Sequence, residues 1–406
     1  MEGQIKRFLP EQGYGFIEVT GQPDVFFIFK SIEDNSVRCE PGEKVEFEAS
    51  ENPKKPGRLM ASNIRLVAGF KHEKLQLSGH PGSYLYQWGY IQLDDSDRNG
   101  KSYTERGVLH DLADIALVED WKYGGTQHQR TPFPILKNYL IYTFYKQYCD
   151  KKVSDATHAG QSWAAFNTGL VDDRYEPIFA LFGRNDRSSP PWKFFAFCRP
   201  NIDREGQELV SNFNPLPLAP KYFGNAEDVI FDPDTTIHPR YDHIVHDSIE
   251  KNRYPPTFLQ KHVPLGIEWK DPTRLRKEER DEFLKDFRRK LKTDASTDLD
   301  IRNRINDAID LAVKRARWNF KTAIPLYHPK ANTISLLLPI ALVDDNKADL
   351  ALVVSRTAAG GYSGDTVYKL NWAYNHARLV CRPDSDWLTP TGDDDGDFED
   401  VSLPGA

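Results

Sequence analysis

Between Gly13 and Ile17 the chain reads Gly-Tyr-Gly-Phe-Ile, and from Asp24 to Phe29 it reads Asp-Val-Phe-Phe-Ile-Phe. In a strand, residues two apart share a face, so Tyr14 and Phe16 stand side by side and Phe26 joins them from a neighbouring strand. Ile17, Val25 and Phe27 fall at the alternate positions and are left for the inside. A row of exposed rings without a task would be an aggregation liability. Unpaired bases supply a task, because each base–ring contact contributes roughly 1–3 kcal/mol and every base has a π-face. The glycines let a strand of nucleic acid approach the backbone.

The surrounding residues agree with that reading. Gln4–Phe8, Gly15–Val19, Val25–Lys30, Lys44–Ala49 and Leu59–Leu66 are short runs separated by Gly, Pro and Asn, at the spacing of a small closed all-β barrel. Gly3-Gln4-Ile5-Lys6-Arg7-Phe8, Gly-Tyr-Gly-Phe-Ile, Asp-Val-Phe and Gly42-Glu43-Lys44-Val45-Glu46-Phe47 occur in one order, and together they resemble a cold-shock domain over about residues 1–66. The resemblance implies a five-stranded OB-type barrel that binds single-stranded RNA or DNA and prefers pyrimidine-rich stretches. It implies a binding set of Lys6, Phe8, Tyr14, Phe16, Phe26 and Phe29. Two positions depart from the family. Arg7 stands where a tryptophan usually stacks, and Ile28 where a histidine usually sits. A guanidinium still stacks on a base and keeps Arg7 in the set; isoleucine does not. With nine Lys and Arg against eleven Asp and Glu through residue 66, modest affinity is expected.

The remainder is a second folded unit. A chain of 406 residues exceeds one ordinary core, and the expected division is 1–67 barrel, 68–82 linker, 83–388 α+β domain and 389–406 acidic disordered tail. The net charge of −7 means that nucleic-acid contacts come from local basic patches. Helices are expected over Asp111–Val118, Ile135–Asp150, 271–292 and 299–318. Strands are expected at Ser162–Gly169, Ile178–Gly183, Trp192–Cys198, Ile334–Val343, Leu350–Ser355 and Thr366–Asn371, forming a mostly antiparallel mixed sheet.

Three stretches of this region carry candidate chemistry. At the end of the helix over 299–318, Lys314, Arg317 and Lys321 share a face, with Asn319 and the rings Trp318 and Phe320 between them. Basic residues interleaved with rings suit phosphate and base recognition, although cations at a helix C-terminus also oppose the macrodipole. Tyr374, His376, Arg378 and Arg382 form a second cluster. In Asp242-His243-Ile244-Val245-His246-Asp247, two histidines three apart share one face of a helix, where adjacent carboxylates would orient them for acid–base work. Lys314, Arg317, Asn319, Lys321, Tyr374, Arg378 and Arg382 are the candidate phosphate or nucleotide contacts; His376, His243 and His246 are the candidate acid–base groups.

Ala165-Phe166-Asn167-Thr168-Gly169-Leu170, Arg317 through Pro325, Ala373 through Leu379 and Arg382 through Leu388 resemble the bacterial domain of unknown function numbered 3825. That family occurs behind RNA-binding modules, which implies an RNA- or nucleotide-related role and brings no established reaction. The expected partner is single-stranded RNA or DNA, with a phosphate-bearing nucleotide or RNA end on the large domain. The alternative is a nucleotide or phosphodiester hydrolase with the barrel as accessory module. No metal or cofactor is expected, since Cys39, Cys149, Cys198 and Cys381 lie far apart with no CxxC pair. The opening MEGQIKRFLP has no apolar core of a signal peptide, and no run spans a membrane, so a cytoplasmic location is expected.

Overall fold

The computed structural model describes residues 1–9, 13–33, 37, 39, 42–53, 55–67, 77–95, 106–123, 131–158, 161–185 and 189–389. The expected linker over 68–82 and acidic tail over 389–406 lie mostly outside these residues. Strands β1 (Glu2–Leu9), β2 (Tyr14–Glu18), β3 (Val25–Ile28), β4 (Lys44–Glu51) and β5 (Leu59–Leu66) close a barrel in the order β1-β2-β3-β5-β4. Ile5, Ile17, Val25, Phe27, Val45, Phe47, Ala61 and Ile64 fill it; Val25 with Phe27 and Val45 with Phe47 keep the period of two. Gly13, at φ +67, turns the chain into β2 and accepts a hydrogen bond from the Phe29 amide at 2.9 Å.

Strict alternation breaks twice, once in β5 between Ser62 and Arg65 opposite Glu46 and Glu48, and once at a useful place in β1. Ile5 pairs with Ile17, but Arg7 pairs with Phe16, so Lys6 is the extra residue of a β-bulge. The bulge turns Lys6 and Arg7 both outward, where alternation alone would have sent Arg7 into the core. At Gly15 a Cβ would lie 2.5 Å from the Phe27 ring and 2.7 Å from the Arg7 carbonyl oxygen. Because Phe27 is fully buried and cannot retreat, Gly15→Val is expected to destabilise the barrel by about 1–3 kcal/mol. The urea midpoint of the full chain, followed by amide exchange of the barrel strands, reads that loss.

The other described residues add two separate sheets where one was expected from sequence. They divide between two compact units. The first unit holds the barrel strands and a sheet of order β6-β10-β9-β8-β7. Its strands are β6 (Gly89–Tyr90), β7 (Ser154–His158), β8 (Gln161–Val171), β9 (Pro177–Arg184) and β10 (Trp192–Cys198). Helices α1 (Tyr84–Trp88), α2 (Val108–Ile115) and α4 (Asp203–Asn212) are interspersed, as is α3 (Pro134–Cys149) from Leu140 on, its residues through Tyr139 belonging to the second unit. Trp88, Phe144, Phe166 and Phe182 interlock on one face of that sheet, with centroids 4.8–6.3 Å apart. Phe179 and Leu181 meet Leu209 and Phe213 on the other.

The second unit carries the order β11-β15-β14-β13-β12, with β11 (Ile237–Pro239), β12 (Ile324–His328), β13 (Thr333–Ile340), β14 (Leu350–Arg356) and β15 (Tyr362–Tyr368). A π-helical turn, Asp242–Asp247, runs into α5 (Ser248–Glu250); α6 (Pro256–Lys261), α7 (Lys277–Leu291), α8 (Ala295–Trp318) and α9 (Leu370–Val380) follow. Leu336, Leu338, Leu352 and Val354 face Ile301, Ile305, Ala308 and Ala312 of α8 and Phe283, Leu284 and Phe287 of α7. The opposite face meets α9 along β12. α8 begins four residues earlier than its apolar stripe suggests. Its first turn is set by a cap: the Asp294 carboxylate accepts from the Thr297 amide at 3.2 Å and from the Leu265 amide at 3.0 Å. Those donors, the Leu265 amide first, hold the Asp294 carboxyl below the usual carboxylate range, as an N-cap does.

Candidate nucleic-acid interface

The outer face of β1–β3 assembles most of the residues expected there. Tyr14, Phe16 and Phe26 are half-buried and touch one another, with centroids at 5.9 Å (Tyr14–Phe16), 5.4 Å (Tyr14–Phe26) and 5.9 Å (Phe16–Phe26). The register explains the cluster, since Phe16 lies opposite Phe26 and Tyr14 opposite Ile28. The Arg7 guanidinium sits 5.2 Å from the Phe16 centroid, so the row continues from ring to cation. Phe29 is 52% exposed and lies 5.7 Å from Phe8, which in turn stacks on the core ring of Phe27 at 5.9 Å. Phe8 therefore anchors Phe29 from the edge of the core. Ile28, at 38% exposure, offers an aliphatic surface at the same edge.

Lys6 is held by two carboxylates, Asp24 at 2.9 Å and Glu18 at 3.9 Å. The hydrogen bond and charge of Asp24 raise the Lys6 ammonium above its ordinary value. Asp24 was visible in sequence only as part of a motif; its contact with Lys6 needed the bulge. An exposed pair of this kind is weak, so a phosphate can displace the carboxylate. The face thus offers three touching rings, a stacked guanidinium and one loosely held ammonium.

In the second unit the basic residues spread out. Arg317 donates to the Asp234 carboxylate at 2.8 Å and to the Pro233 carbonyl at 3.1 Å. Lys321 donates to Asp384 at 2.6 Å, and Asn319 caps the turn by accepting from the Lys321 amide at 3.1 Å. Lys314 and Arg382 are exposed. Tyr374 is buried, and Arg378 is 8% exposed, its guanidinium 4.8 Å from the Trp121 ring and 4.6 Å from that of Tyr139. Arg378 is a packed residue of α9, away from the surface on which Arg317 and Lys321 stand.

The histidines are likewise held apart. The expected α-helical face with His243 and His246 together is not formed, because Asp242–Asp247 is a π-turn, whose wider hydrogen-bonding period changes the spacing of side chains. His243 bonds through Nδ1 to Asp247 at 2.6 Å and through Nε2 to Arg240 at 3.1 Å. His246 is buried beside Asp298 of α8, with Nε2 3.3 Å from the carboxylate, and burial lowers its pKa. His376 is buried with Nδ1 3.1 Å from the Tyr327 carbonyl. Sequence reasoning passed over His328, whose ring lies 6.0 Å from that of His376. Its Nε2 meets the Ser335 hydroxyl at 3.2 Å, and Ser335 meets Ser355 at 2.8 Å. These residues come from three strands, so no local spacing announced them. Among the described residues no group of three or more His, Cys, Asp or Glu is placed to hold a metal ion. No helix among them is long and apolar enough to cross a membrane.

A closed five-stranded barrel whose outer face carries a row of rings defines the first part of the chain as a cold-shock-type module. The chain belongs to the family described as Domain of unknown function (DUF3825), whose model matches residues 112–387, and residues 1–67 match the 'Cold-shock' DNA-binding domain. Major cold shock protein CspA of Bacillus cereus is 47% identical over 55 residues, 13% of this chain and 82% of that relative. Cold shock protein CspA of Staphylococcus haemolyticus is 45% identical over 64 residues, 16% of this chain and 92% of that relative. A solved chain, drosophila Unr CSD456, matches at 11% identity and a TM-score of 0.15 over 50% of this chain and 62% of that one; so weak a superposition adds nothing to the assignment. The cold-shock domain supports nucleic-acid binding.

Proposed function

We propose that this chain captures single-stranded RNA or DNA on the outer face of its barrel, with Tyr14, Phe16, Phe26 and Phe29 stacking bases and Lys6 and Arg7 meeting the backbone or stacking in turn. The mutual contact of Tyr14, Phe16 and Phe26 outside a filled core carries the reading. A continuous ring surface accepts successive bases whatever their identity. In the same proposal the large domain adds phosphate contacts to an RNA or nucleotide through Lys314, Arg317, Lys321 and Arg382, whose side chains are exposed.

Fluorescence anisotropy of a labelled oligothymidylate titrated with the full chain tests the first part. The expected result is saturable binding that weakens with salt; a duplex of the same length binding equally well would defeat it. A gain-of-function variant sharpens the test. Arg7→Trp replaces a guanidinium 5.2 Å from Phe16 by a wider ring. It is expected to tighten binding about five-fold, the low end of one stacking contact. If the guanidinium neutralises a phosphate, the same variant also flattens the slope of log K against log salt by about 0.7.

A further inference from the structure

We infer that the end of α8 is a second single-strand contact, in which Trp318 and Phe320 stack bases between the cations Lys314, Arg317 and Lys321. The inference rests on the proposed binding of single strands and extends it to a site outside the barrel. Trp318 is 93% exposed and Phe320 is 68% exposed. A large ring in water is ordinary when it stands alone and informative when it stands beside another. The turn that carries the pair is firmly built. Ala312, Ala316 and Ala323 are buried beneath it, the Trp387 indole donates to the Thr322 carbonyl at 2.9 Å, and Thr322 Oγ1 donates to the Arg315 carbonyl at 3.3 Å. Asn319 ends the helix, with its side chain accepting from the Lys321 amide. The rings are therefore presented on a fixed support, at no ordering cost to the backbone.

The charges choose the occupant. Protein interfaces are enriched in Trp, Phe and Arg but depleted of Lys, and here lysines stand on both sides of the rings. Arg317 and Lys321 are paired with Asp234 and Asp384, whose side chains are 83% and 85% exposed. Pairs this wet are weak and yield to a phosphate. Lys314, three residues before Arg317, has no carboxylate within ion-pairing distance among the described residues. Rings spaced by cations match the alternation of base and phosphate along one strand, and rings 93% and 68% exposed offer open faces for it.

Tryptophan emission separates this contact from the barrel, because residues 1–67 contain no tryptophan. The full chain is titrated with labelled oligothymidylate while anisotropy and indole emission are followed together. The expected result is quenching of the most red-shifted emission at saturation, lost in Trp318→Phe although binding persists. Trp318→Ala with Phe320→Ala is expected to weaken binding at least about five-fold, as one lost stacking contact would. Unchanged emission at saturation overturns the inference and leaves the barrel reading standing. Binding undiminished by Phe16→Ala with Phe26→Ala, while the quench persists, overturns the barrel reading and leaves the contact at the end of α8. A fall in sedimenting mass on Trp318→Ala shows that the rings cover a second copy of the chain, and the inference fails.

Discussion

Phe26→Ala weakens binding of single-stranded oligothymidylate to the full chain by about 5- to 150-fold, the range expected when one base loses its ring. Phe26 touches both Tyr14 and Phe16, at 5.4 Å and 5.9 Å, so its removal leaves a pair of rings in edge contact where three formed a surface. The double variant Phe16→Ala with Phe26→Ala also strips the support from the Arg7 guanidinium, and its loss is expected to exceed that of either single change. Fold is not the intermediary. Phe16 and Phe26 lie outside the cluster of Ile17, Val25 and Phe27 that fills the barrel, and substitutions at such positions cost little stability. Anisotropy titration against oligothymidylate, with the circular dichroism of the variants unchanged, is the measurement. Affinity within two-fold of the parent chain in the double variant would remove the ring row from the binding site.

How much of this was readable beforehand follows from the range of the signals. The barrel face was legible because a period of two is local: Tyr14, Phe16 and Phe26 point one way and Ile17, Val25 and Phe27 the other, with no need of distant residues. Arg7 was placed outside by resemblance, and its physical reason, the bulge at Lys6, is a cross-strand register that no single strand announces. The α8 stripe from Ile301 to Ala316 was likewise local, and its basic end came with it. A shared face for His243 and His246 requires an α-helical period, and the turn that carries them is π-helical. Arg378 read as a surface cation because an arginine near a helix end is ordinarily solvated; the rings that bury it, Trp121 and Tyr139, lie far away in the chain. The separation into two sheets depends on which strands pair, and similar apolar runs serve either arrangement.

The second large effect is acid lability of the second unit, and it comes from His328. Burial, aided by the neighbouring His376, pushes the His328 imidazole down to about 3 from its ordinary value of 6.5. The ring is 3% exposed, its Nδ1 has no hydrogen-bond partner among the described residues, and its Nε2 is engaged by the Ser335 hydroxyl. A proton placed on this ring would sit uncompensated among β12, β13 and α9. The unfolded chain, by contrast, accepts the proton near pH 6.5. Below that pH the unfolded state binds more protons than the folded one, so stability falls as pH falls, by up to about 1.4 kcal/mol per pH unit until the folded group itself titrates. From His328 alone the full chain is expected to be about 2 kcal/mol less stable at pH 5 than at pH 8. His246, whose pKa burial also lowers, acts in the same direction. Carboxylates with depressed values, such as Asp172 and Asp294, lose their contribution only at lower pH, around the ordinary carboxylate range of about 4. The window from pH 6.5 to 5 therefore isolates the imidazoles. His328→Gln keeps a polar side chain opposite Ser335 and cannot titrate there. Urea midpoints followed by tryptophan emission, taken across that window, are expected to show a shallower pH dependence in the variant whatever its stability at pH 8. Parallel pH dependences in parent and variant would mean that His328 takes up its proton equally in both states, and the buried, uncharged imidazole would have to be given up.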